Sequence, residues 1–344
     1  MVTTIGIDPH KATHTAVAID DDETVLGEFT IRADKDQTTK LLEWAGSVNG
    51  DARVWAVEAA TGLGHLLSQQ LVATGETVID VPPVLASRIR VLSSGTSNKN
   101  DNNDARSVAI AALRRDGLAE VHREDEAAVL RMLAKRHREL TSLRTQAVCR
   151  LHAMLAVLRP GGMGHRLSAK QASRMLGGIR GLDAVGEQRR CMAKTHLVDI
   201  RRLDRDLDAI KAQIRTAVAA TDTSVTDIYG VGPVVAAFLI GYTPPIDRFT
   251  TADKYAAYNG TAPIEVSSGG KVRHRLSRRG NRTLNHAIHS AAVTQIRHQT
   301  PGRIYYDRKL DEGKTNKEAL RALKRRISDA VYRHLVADAQ RHKS

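Results

Sequence analysis

The sequence predicts an α/β layer fold at the start of the chain and a mainly α-helical remainder. Short apolar runs typical of strands come first, two of them with alternating apolar residues, and segments with helical spacing follow between the later strands. Strands that alternate with helices in this way are typical of a sheet covered by helices. From about residue 124 onward, leucines recur at helical spacing among many arginines and lysines.

The elements of the first part follow one another with recognisable boundaries. We predict strands at 3–7, 15–19, 24–31, 53–57 and 77–81, and helices at 35–47, 62–74, 83–92 and 101–115. The first three strands are expected to form an antiparallel meander, because a short acidic turn separates the second from the third.

Two long helices are predicted in the middle of the chain, at 124–158 and 195–220. The second carries Leu203, Leu207, Ile210 and Ile214 at intervals of four, three and four residues, which is the seam of a coiled coil. A helical hairpin or a dimer contact would use this seam, and simple packing within one chain explains it equally well.

The last third contains further helices and a pair of extended segments. Helices are predicted at 234–240, 253–258, 280–298 and 315–339, and extended segments at 261–265 and 272–276. The chain is therefore divided into three predicted domains, at 1–120, 121–221 and 222–344.

Composition narrows the class of protein. The chain has 344 residues, of which 42% are hydrophobic, and this is enough to exclude wholesale disorder. Its two cysteines, Cys149 and Cys191, exclude a disulfide scaffold or a cysteine-rich zinc module and fit a reducing cytosol. No secretory leader or membrane-spanning segment is expected from the apolar runs.

Charge is distributed unevenly along the chain. The formal net charge is +14, which predicts a polyanion as partner. Residues 1–105 nevertheless contain 8 Lys+Arg against 15 Asp+Glu, whereas the rest contains 44 against 23. An acidic first third joined to a basic remainder indicates separate domains, and it raises the question of what the carboxylates do.

Four carboxylates stand where predicted elements begin or end. Asp8 and Glu58 each follow a buried strand, and Asp101 and Asp104 lie three residues apart at a helix start, so they share a face. If the three segments converge, the carboxylates repel one another unless cations neutralise them. Hard oxygen ligands select Mg²⁺ or Mn²⁺, and two such ions suit phosphoryl transfer.

Simpler explanations exist for each carboxylate alone. Asp101 and Asp104 could cap their helix. Asp8 could belong to the phosphate-binding turn of a sugar-kinase or actin-like ATPase, which begins with a similar strand. The segment 8–11 (DPHK) lacks the glycine that such a turn needs, however, and the chain has no GxxxxGK[ST] motif. For the set of four we favour the metal site.

Two further motifs lie in the basic part. Gly230 and Gly232, in the sequence GVGP before a helix, resemble the turn of a helix-hairpin-helix, which presents backbone N–H groups to a DNA phosphate. An ordinary interhelical turn is the alternative.

A serine pair, Ser267 and Ser268, precedes Gly-Gly-Lys in a predicted flexible loop. Basic residues surround it: Lys271, Arg273, His274, Arg275, Arg278, Arg279 and Arg282. A serine in this setting could attack DNA and form a phosphoserine link that the arginines stabilise. Taken alone, a polar loop on a basic surface is the better explanation.

Six segments together resemble one known family. They are IGIDPHK, VWAVEAATG, NKNDNNDA, YGVGPVVAAFLIG, VSSGGKVRHRLSRRGNRTL and IYYDRKLDEGKTNKEALRALKRRISD. In order and spacing they are similar to the DEDD-type insertion-sequence transposases of the IS110 group, also called bridge-RNA-guided serine recombinases. The resemblance extends from Ile5 to about Leu335, although residues 120–220 match only in helical character.

The resemblance implies a ribonuclease-H/RuvC-like first domain, a coiled-coil linker and a C-terminal transposase domain. It implies that the four carboxylates bind Mg²⁺ or Mn²⁺ and that a serine, Ser267 in preference to Ser268, is the nucleophile on DNA. It further implies a homodimer, a tetramer at the synapse, composite active sites formed by two copies, and a structured RNA from the element that pairs with donor and target DNA. The expected location is the prokaryotic cytoplasm, in association with the nucleoid.

Three functions therefore compete at this stage. The first is a DNA recombinase that uses both the serine and the metal site. The second is a nuclease like the Holliday-junction resolvases, which would use metal-activated water alone. The third is a nucleic-acid-binding protein without catalysis. The low aromatic content, 3%, argues against base stacking as the main mode of nucleic-acid contact and fits sequence choice by base pairing.

Overall fold

The computed structural model describes residues 2–48, 52–94, 101–161, 168–180, 183–268, 271–276 and 280–343; for 93–94, 264–268 and 271–276 it describes the backbone alone. The chain divides into two units, Met1–Glu124 and Asp125–Ser344. The three-domain division of the sequence stays a prediction, although residues 125–221 lie in the same unit as the C-terminal helices.

A six-stranded sheet organises the first unit. Its strands are β1 (Thr3–Pro9), β2 (Thr13–Ile19), β3 (Val25–Arg32), β4 (Arg53–Glu58), β5 (Val78–Val81) and β6 (Ala119–Glu120). They are arranged in the order β3-β2-β1-β4-β5-β6. β3, β2 and β1 pair antiparallel, as the predicted meander requires, whereas β1, β4 and β5 pair parallel. The two-residue β6 was not predicted, because it is too short to show any alternation.

Helices cover both faces of this sheet. They are α1 (Gln37–Val48), α2 (His65–Ala73), α3 (Pro83–Ser94) and α4 (Asp101–Arg114). α1 and α2 bury Leu41, Leu67 and Leu71 against one face, and α4 buries Ala105 and Ala109 against the other. The predicted α/β layer fold is confirmed for this part of the chain.

The second unit is mainly helical, as predicted. Its elements are α5 (Glu126–Leu158), α6 (Ala169–Gly178), α7 (Ala184–Ala220), α8 (Pro233–Tyr242), α9 (Ala252–Tyr258), β7 (Pro263–Ser268), β8 (Lys271–Leu276), α10 (Arg282–Ile296), α11 (Pro301–Asp311) and α12 (Asn316–Arg341). Among the residues that the structure describes, none of the helices combines the length and the apolar character that crossing a membrane requires.

The predicted coiled-coil seam packs within the chain. Leu203, Leu207, Ile210 and Ile214 of α7 are all buried, in a core that also contains Leu140 of α5. An ion pair between Arg144 of α5 and Asp204 of α7 lies beside this seam. The seam is therefore already used by the α5–α7 hairpin, and a coiled coil between two copies stays a prediction.

One prediction about the second unit was wrong. Ser267 and Ser268 were expected in a flexible loop, but their backbone forms the end of strand β7, where Ser267 pairs with Val272 and Ser268 with Lys271 of β8. The β-branched residues of the segment Pro263–Ser268 favour extended backbone, and pairing with β8 extends the strand through both serines.

Candidate active site

The alternation of strands β1 and β4 aims two carboxylates at the same side of the sheet. Ile7 of β1 and Val57 of β4 are register partners, and both belong to the core under α1 and α2. Because successive side chains of a strand point to opposite faces, Asp8 and Glu58 belong to the face that α4 covers. Asp8 is buried there, with 7% of its surface exposed.

Helix α4 brings the other two carboxylates to this end of the sheet. Asp101 and Asp104 both lie in its first turn; Asp104 is buried and Asp101 exposed. α4 approaches β1 closely, because a Cβ at Gly6 would lie 2.1 Å from the carbonyl oxygen of Ala105. Glycine at position 6 is what permits the helix to lie so near the strand.

The structure thus brings Asp8, Glu58, Asp101 and Asp104 together from three segments of the chain. One ligand atom each from Asp8, His10 and Asp101 lie within 4.8 Å of one another. Glu58 lies near Asp8 and Asp104, and the negative charges of both act on it.

The pKa of Glu58 is shifted by its burial and by the neighbouring carboxylates. Burial raises the pKa of this carboxyl above its usual value, and the negative charges of Asp8 and Asp104 raise it further. The positive charge of Arg90 acts in the opposite direction but does not cancel the effect.

Two residues of the cluster were missed by sequence reasoning. His10 has its Nδ1 atom 3.7 Å from Oδ2 of Asp8, and Arg90 of α3 forms an ion pair with Asp104. The position of His10 two residues after Asp8 was a usable signal. Arg90 gave none, because only the packing of α3 beside α4 places it at the cluster.

The cluster fits a divalent cation by the chemistry of its donors. Ligand atoms of Asp8, His10 and Asp101 lie within 4.8 Å of one another, and Glu58 and Asp104 lie near enough to Asp8 for their charges to interact. The guanidinium of Arg90 neutralises only part of the negative charge. Such hard oxygen donors suit Mg²⁺ or Mn²⁺.

A turn with left-handed backbone follows Glu58 directly. Ala59 has a φ of +48°, which is uncommon for a residue with a side chain. The N–H of Ala60 donates to Oδ1 of Asp80 at 2.9 Å, and the N–H of Ala59 donates to the carbonyl of Val81 at 3.1 Å. β5 thereby fixes the turn that carries the chain away from the cluster.

The hairpin of β7 and β8 lies in the second unit and contains several of the predicted residues. Lys271, Arg273, His274 and Arg275 lie on β8, and Arg282 is the exposed first residue of α10. Arg278 and Arg279 lie outside the described residues, as do the side chains of Ser267 and Ser268.

A polar network fastens the two ends of this hairpin. The N–H of Asn281 donates to the carbonyl of Tyr258 at 2.7 Å, and Nδ2 of Asn285 donates to the carbonyl of Asn259 at 3.0 Å. Nζ of the buried Lys324 donates to Oδ1 of Asn285 at 2.6 Å. These bonds join the residue segments just before and just after the hairpin, so both of its ends are held in place.

The predicted helix-hairpin-helix turn is not confirmed. Gly230 and Gly232 precede α8, and Gly232 is its exposed N-cap. In place of a preceding helix there is a 3-10 turn, Ser224–Asp227. The phosphate-binding role of this turn stays a prediction.

Comparisons with known proteins place the chain in a family. The family model "DEDD_Tnp_IS110: Transposase" matches residues 5–160, and the model "Transposase IS116/IS110/IS902 family" matches residues 222–307. A 44.8 kDa protein of insertion element IS116 from Streptomyces clavuligerus is 26% identical, over 95% of this chain and 93% of that protein. A 42 kDa protein of insertion element IS900 from Mycobacterium paratuberculosis is 25% identical, over 98% and 96%.

A solved structure of T. thermophilus RuvC in complex with a Holliday junction substrate is also similar. It covers 35% of this chain and 100% of that chain, with 16% identity and a TM-score of 0.29. A likeness of this size is too small to support an inference.

The two family matches define the class of the protein: it is a transposase, an enzyme that cleaves and transfers DNA. Together the matches cover more than half of the chain and leave out mainly residues 161–221 and 308–344. The chain belongs to the IS110 family of transposases.

Proposed function

We propose that this transposase excises and inserts an insertion sequence by cutting and rejoining DNA, with a divalent-metal carboxylate site and a serine nucleophile, at sites chosen by a structured RNA. The observation that carries the proposal is the convergence of Asp8, Glu58, Asp101 and Asp104 from two strand ends and one helix start. The order of the strands from β3 to β5 supports a ribonuclease-H/RuvC-like assignment for this unit.

The four carboxylates would hold Mg²⁺ or Mn²⁺. When bound, a divalent cation supplies stabilisation of the negative charge that develops on the oxygens of a phosphate under attack. The chain's own residues set the geometry: two buried strand ends fix Asp8 and Glu58, and the approach of α4 to Gly6 fixes Asp101 and Asp104.

The serine would form a transient link to DNA. The hydroxyl oxygen of Ser267, or of Ser268, attacks phosphorus; a bond from phosphorus to a deoxyribose oxygen breaks, and the serine proton passes to a base while the leaving oxygen is protonated. Attack by the hydroxyl of a second DNA strand on the phosphoserine then rejoins DNA and restores the serine. Both serines lie on a paired strand of a hairpin whose two ends are held by hydrogen bonds. This supports the role, because a nucleophile must be held in a defined position.

Basic residues around the hairpin would bind the phosphate backbone. Lys271, Arg273 and Arg275 are on the strand that pairs with the serines, and Arg278, Arg279 and Arg282 follow. The N-cap of α8 at Gly232 would add backbone N–H groups for a further phosphate. Because these contacts are to phosphates, binding is expected to weaken steeply with salt.

The remaining parts of the proposal concern partners. The net charge of +14 supports contact with both DNA and a structured guide RNA, and the family resemblance supports a homodimer that assembles into a tetramer at the synapse in the bacterial cytoplasm, on the nucleoid. Low aromatic content supports sequence choice by base pairing of the RNA.

Trapping of the covalent intermediate tests the serine mechanism. Wild-type protein, incubated with RNA from the element, its DNA ends and Mn²⁺, is expected to give a protein–DNA adduct that survives denaturation. One of Ser267→Ala and Ser268→Ala should abolish the adduct, and Ser142→Ala, at an exposed serine of α5, should not. If both hairpin variants retain the adduct and recombination, the serine mechanism is wrong.

The same assay separates the competing functions. Hydrolysed DNA ends without an adduct in the wild type would indicate a junction-type nuclease that uses water. Asp8→Asn and Glu58→Gln are expected to abolish strand cleavage while DNA binding is retained. Unchanged function in both variants would indicate a nucleic-acid-binding protein without catalysis.

A further inference from the structure

One guanidinium lies among the carboxylates of the cluster. Arg90 of α3 pairs with Asp104 of α4, and the side chains are 23% and 10% exposed respectively. The charge of Arg90 also acts on Glu58 and on Asp8. The positively charged side chain therefore contacts one carboxylate and acts on two more, beside the group of Asp8, His10 and Asp101 that could hold a divalent cation.

We propose that Arg90 is an internal counter-ion of the carboxylate cluster. It pairs with Asp104 in the metal-free protein, and a divalent cation displaces it. The inference rests on the proposed function, because it requires the carboxylates to bind metal. A guanidinium is always protonated, so it cannot leave by losing its proton; it has to be displaced. Metal and Arg90 then compete for the carboxylate of Asp104.

The physical reason for such a residue is the repulsion among the carboxylates. Four of them at the end of one sheet destabilise the metal-free protein, and a fixed positive charge offsets part of this repulsion. The same charge repels an arriving cation and lowers its affinity. Arg90 thus stabilises the metal-free fold and weakens metal binding.

An alternative role for Arg90 predicts the opposite change in metal affinity when the residue is removed. If Arg90 served only to hold Asp104 in the orientation that binds metal, its removal would weaken metal binding, as loss of a residue that orients a ligand does. The sign of the change in metal affinity therefore decides between a competing and a supporting role.

The experiment is a calorimetric titration of Mn²⁺ into the full-length protein after removal of metal with a chelator. Arg90→Gln should tighten Mn²⁺ binding by about tenfold, a change of about 1.4 kcal/mol. Arg88→Gln is the matched control, because Arg88 is exposed on the same helix and the variant has the same net charge. It should leave the dissociation constant within about twofold of wild type.

Thermal unfolding gives a second measurement. Without metal, Arg90→Gln should unfold at a lower temperature than wild type, and saturating Mn²⁺ should raise its unfolding temperature by more than it raises that of wild type. Arg90→Lys keeps the charge and should bind Mn²⁺ within about threefold of wild type. This variant tests the proposal even if Arg90→Gln does not fold without metal.

The outcomes separate this inference from the proposed function. Weaker or unchanged Mn²⁺ binding by Arg90→Gln, or binding by Arg90→Lys that is about tenfold weaker, would overturn the counter-ion role alone. A wild-type protein that binds no Mn²⁺ while Asp8→Asn has normal cleavage would instead overturn the metal role of the cluster, and the inference with it.

Discussion

Gly6 of β1 lies directly against Ala105 of α4, so that a Cβ on this glycine would lie 2.1 Å from the carbonyl oxygen of Ala105 and 2.5 Å from the backbone nitrogen of Ala109. Both contacts are with backbone atoms, which cannot rotate away. Since α4 carries two of the four carboxylates, this contact sets how close they come to the ends of β1 and β4.

Gly6→Ala is therefore expected to push α4 away from the sheet. The free energy of unfolding should fall by about 1–3 kcal/mol or more, because the methyl group has no space, and Mn²⁺ binding should weaken. Urea unfolding and calorimetry measure the two effects. Gly46→Ala, in α1, is the control: nothing lies within 4 Å of a Cβ there, and alanine should stabilise the helix by up to about 1 kcal/mol. Equal stability of Gly6→Ala and wild type would contradict the close approach.

Asp80 is expected to hold the turn that follows Glu58. Asp80→Ala removes the acceptor of the Ala60 N–H bond, and the left-handed Ala59 is then less well fixed. We expect a loss of about 1–2 kcal/mol of unfolding free energy and weaker Mn²⁺ binding. Asp80→Asn keeps an oxygen at the same position and should restore both. A similar loss in both variants would show that the charge of Asp80, and not its acceptor, is what matters.

The carboxylate of Glu76, bonded to residues at the start of β4, makes the stability of the protein depend on pH. Glu76 accepts from Nε and Nη2 of Arg53, at 2.9 and 2.5 Å, and from Nε1 of Trp55 at 2.6 Å. The Arg53 bonds in particular lower the pKa of Glu76 below its usual value. A lowered pKa in the folded state means that the stabilisation is complete above the unfolded-state pKa and is lost as the pH falls through the folded-state pKa.

Glu76→Gln tests this assignment. The variant should lose about 1.5–3 kcal/mol of unfolding free energy at pH 7 and less of it under acidic conditions, because wild type then loses the same stabilisation. Glu43→Gln, at an exposed position of α1, is the control with the same change in charge. Urea unfolding at a series of pH values gives both curves, and parallel curves for wild type and Glu76→Gln would refute the assignment.

His10 is expected to affect the choice of metal. Its imidazole lies with carboxylates of Asp8 and Asp101 within 4.8 Å, and a nitrogen donor, being softer than a carboxylate oxygen, disfavours Mg²⁺ more than the transition metal Mn²⁺. His10→Ala should weaken Mn²⁺ binding by at least about tenfold while Mg²⁺ binding changes little. Calorimetry with each ion measures the ratio, and His122→Ala, at an exposed histidine of the same unit, serves as control. An equal loss for both ions would exclude His10 as a ligand.

Substitutions of the two glycines before α8 are expected to differ in their effect on stability. Gly230 has a φ of +86°, and a Cβ on it would lie 2.8 Å from the carbonyl oxygen of Ala291, whereas nothing lies within 4 Å of a Cβ on Gly232. Gly230→Ala should therefore cost about 1–3 kcal/mol of stability, and Gly232→Ala much less. DNA binding by the folded Gly232→Ala protein, measured by fluorescence anisotropy, then reports on the phosphate contact at α8. Equal melting temperatures for the two variants would contradict the difference.

Much of the local structure was available from the sequence. Short apolar runs predicted the buried strands β1 and β4, alternation predicted β2 and β3, and leucine spacing predicted the long helices. The four carboxylates could be singled out because each stands at the end of a buried strand or at the start of a helix.

The tertiary structure decided what these residues meet. Arg90 and His10 join the cluster only because α3 packs beside α4 and because the chain turns after β1, and neither contact leaves a periodic trace. Likewise, the apolar seam of α7 would have the same sequence pattern whether it packed on a second copy or on α5. Only the fold places it on α5. Sequence patterns report whether a side chain is buried. The partner that buries it depends on contacts between distant segments, which a local pattern does not encode.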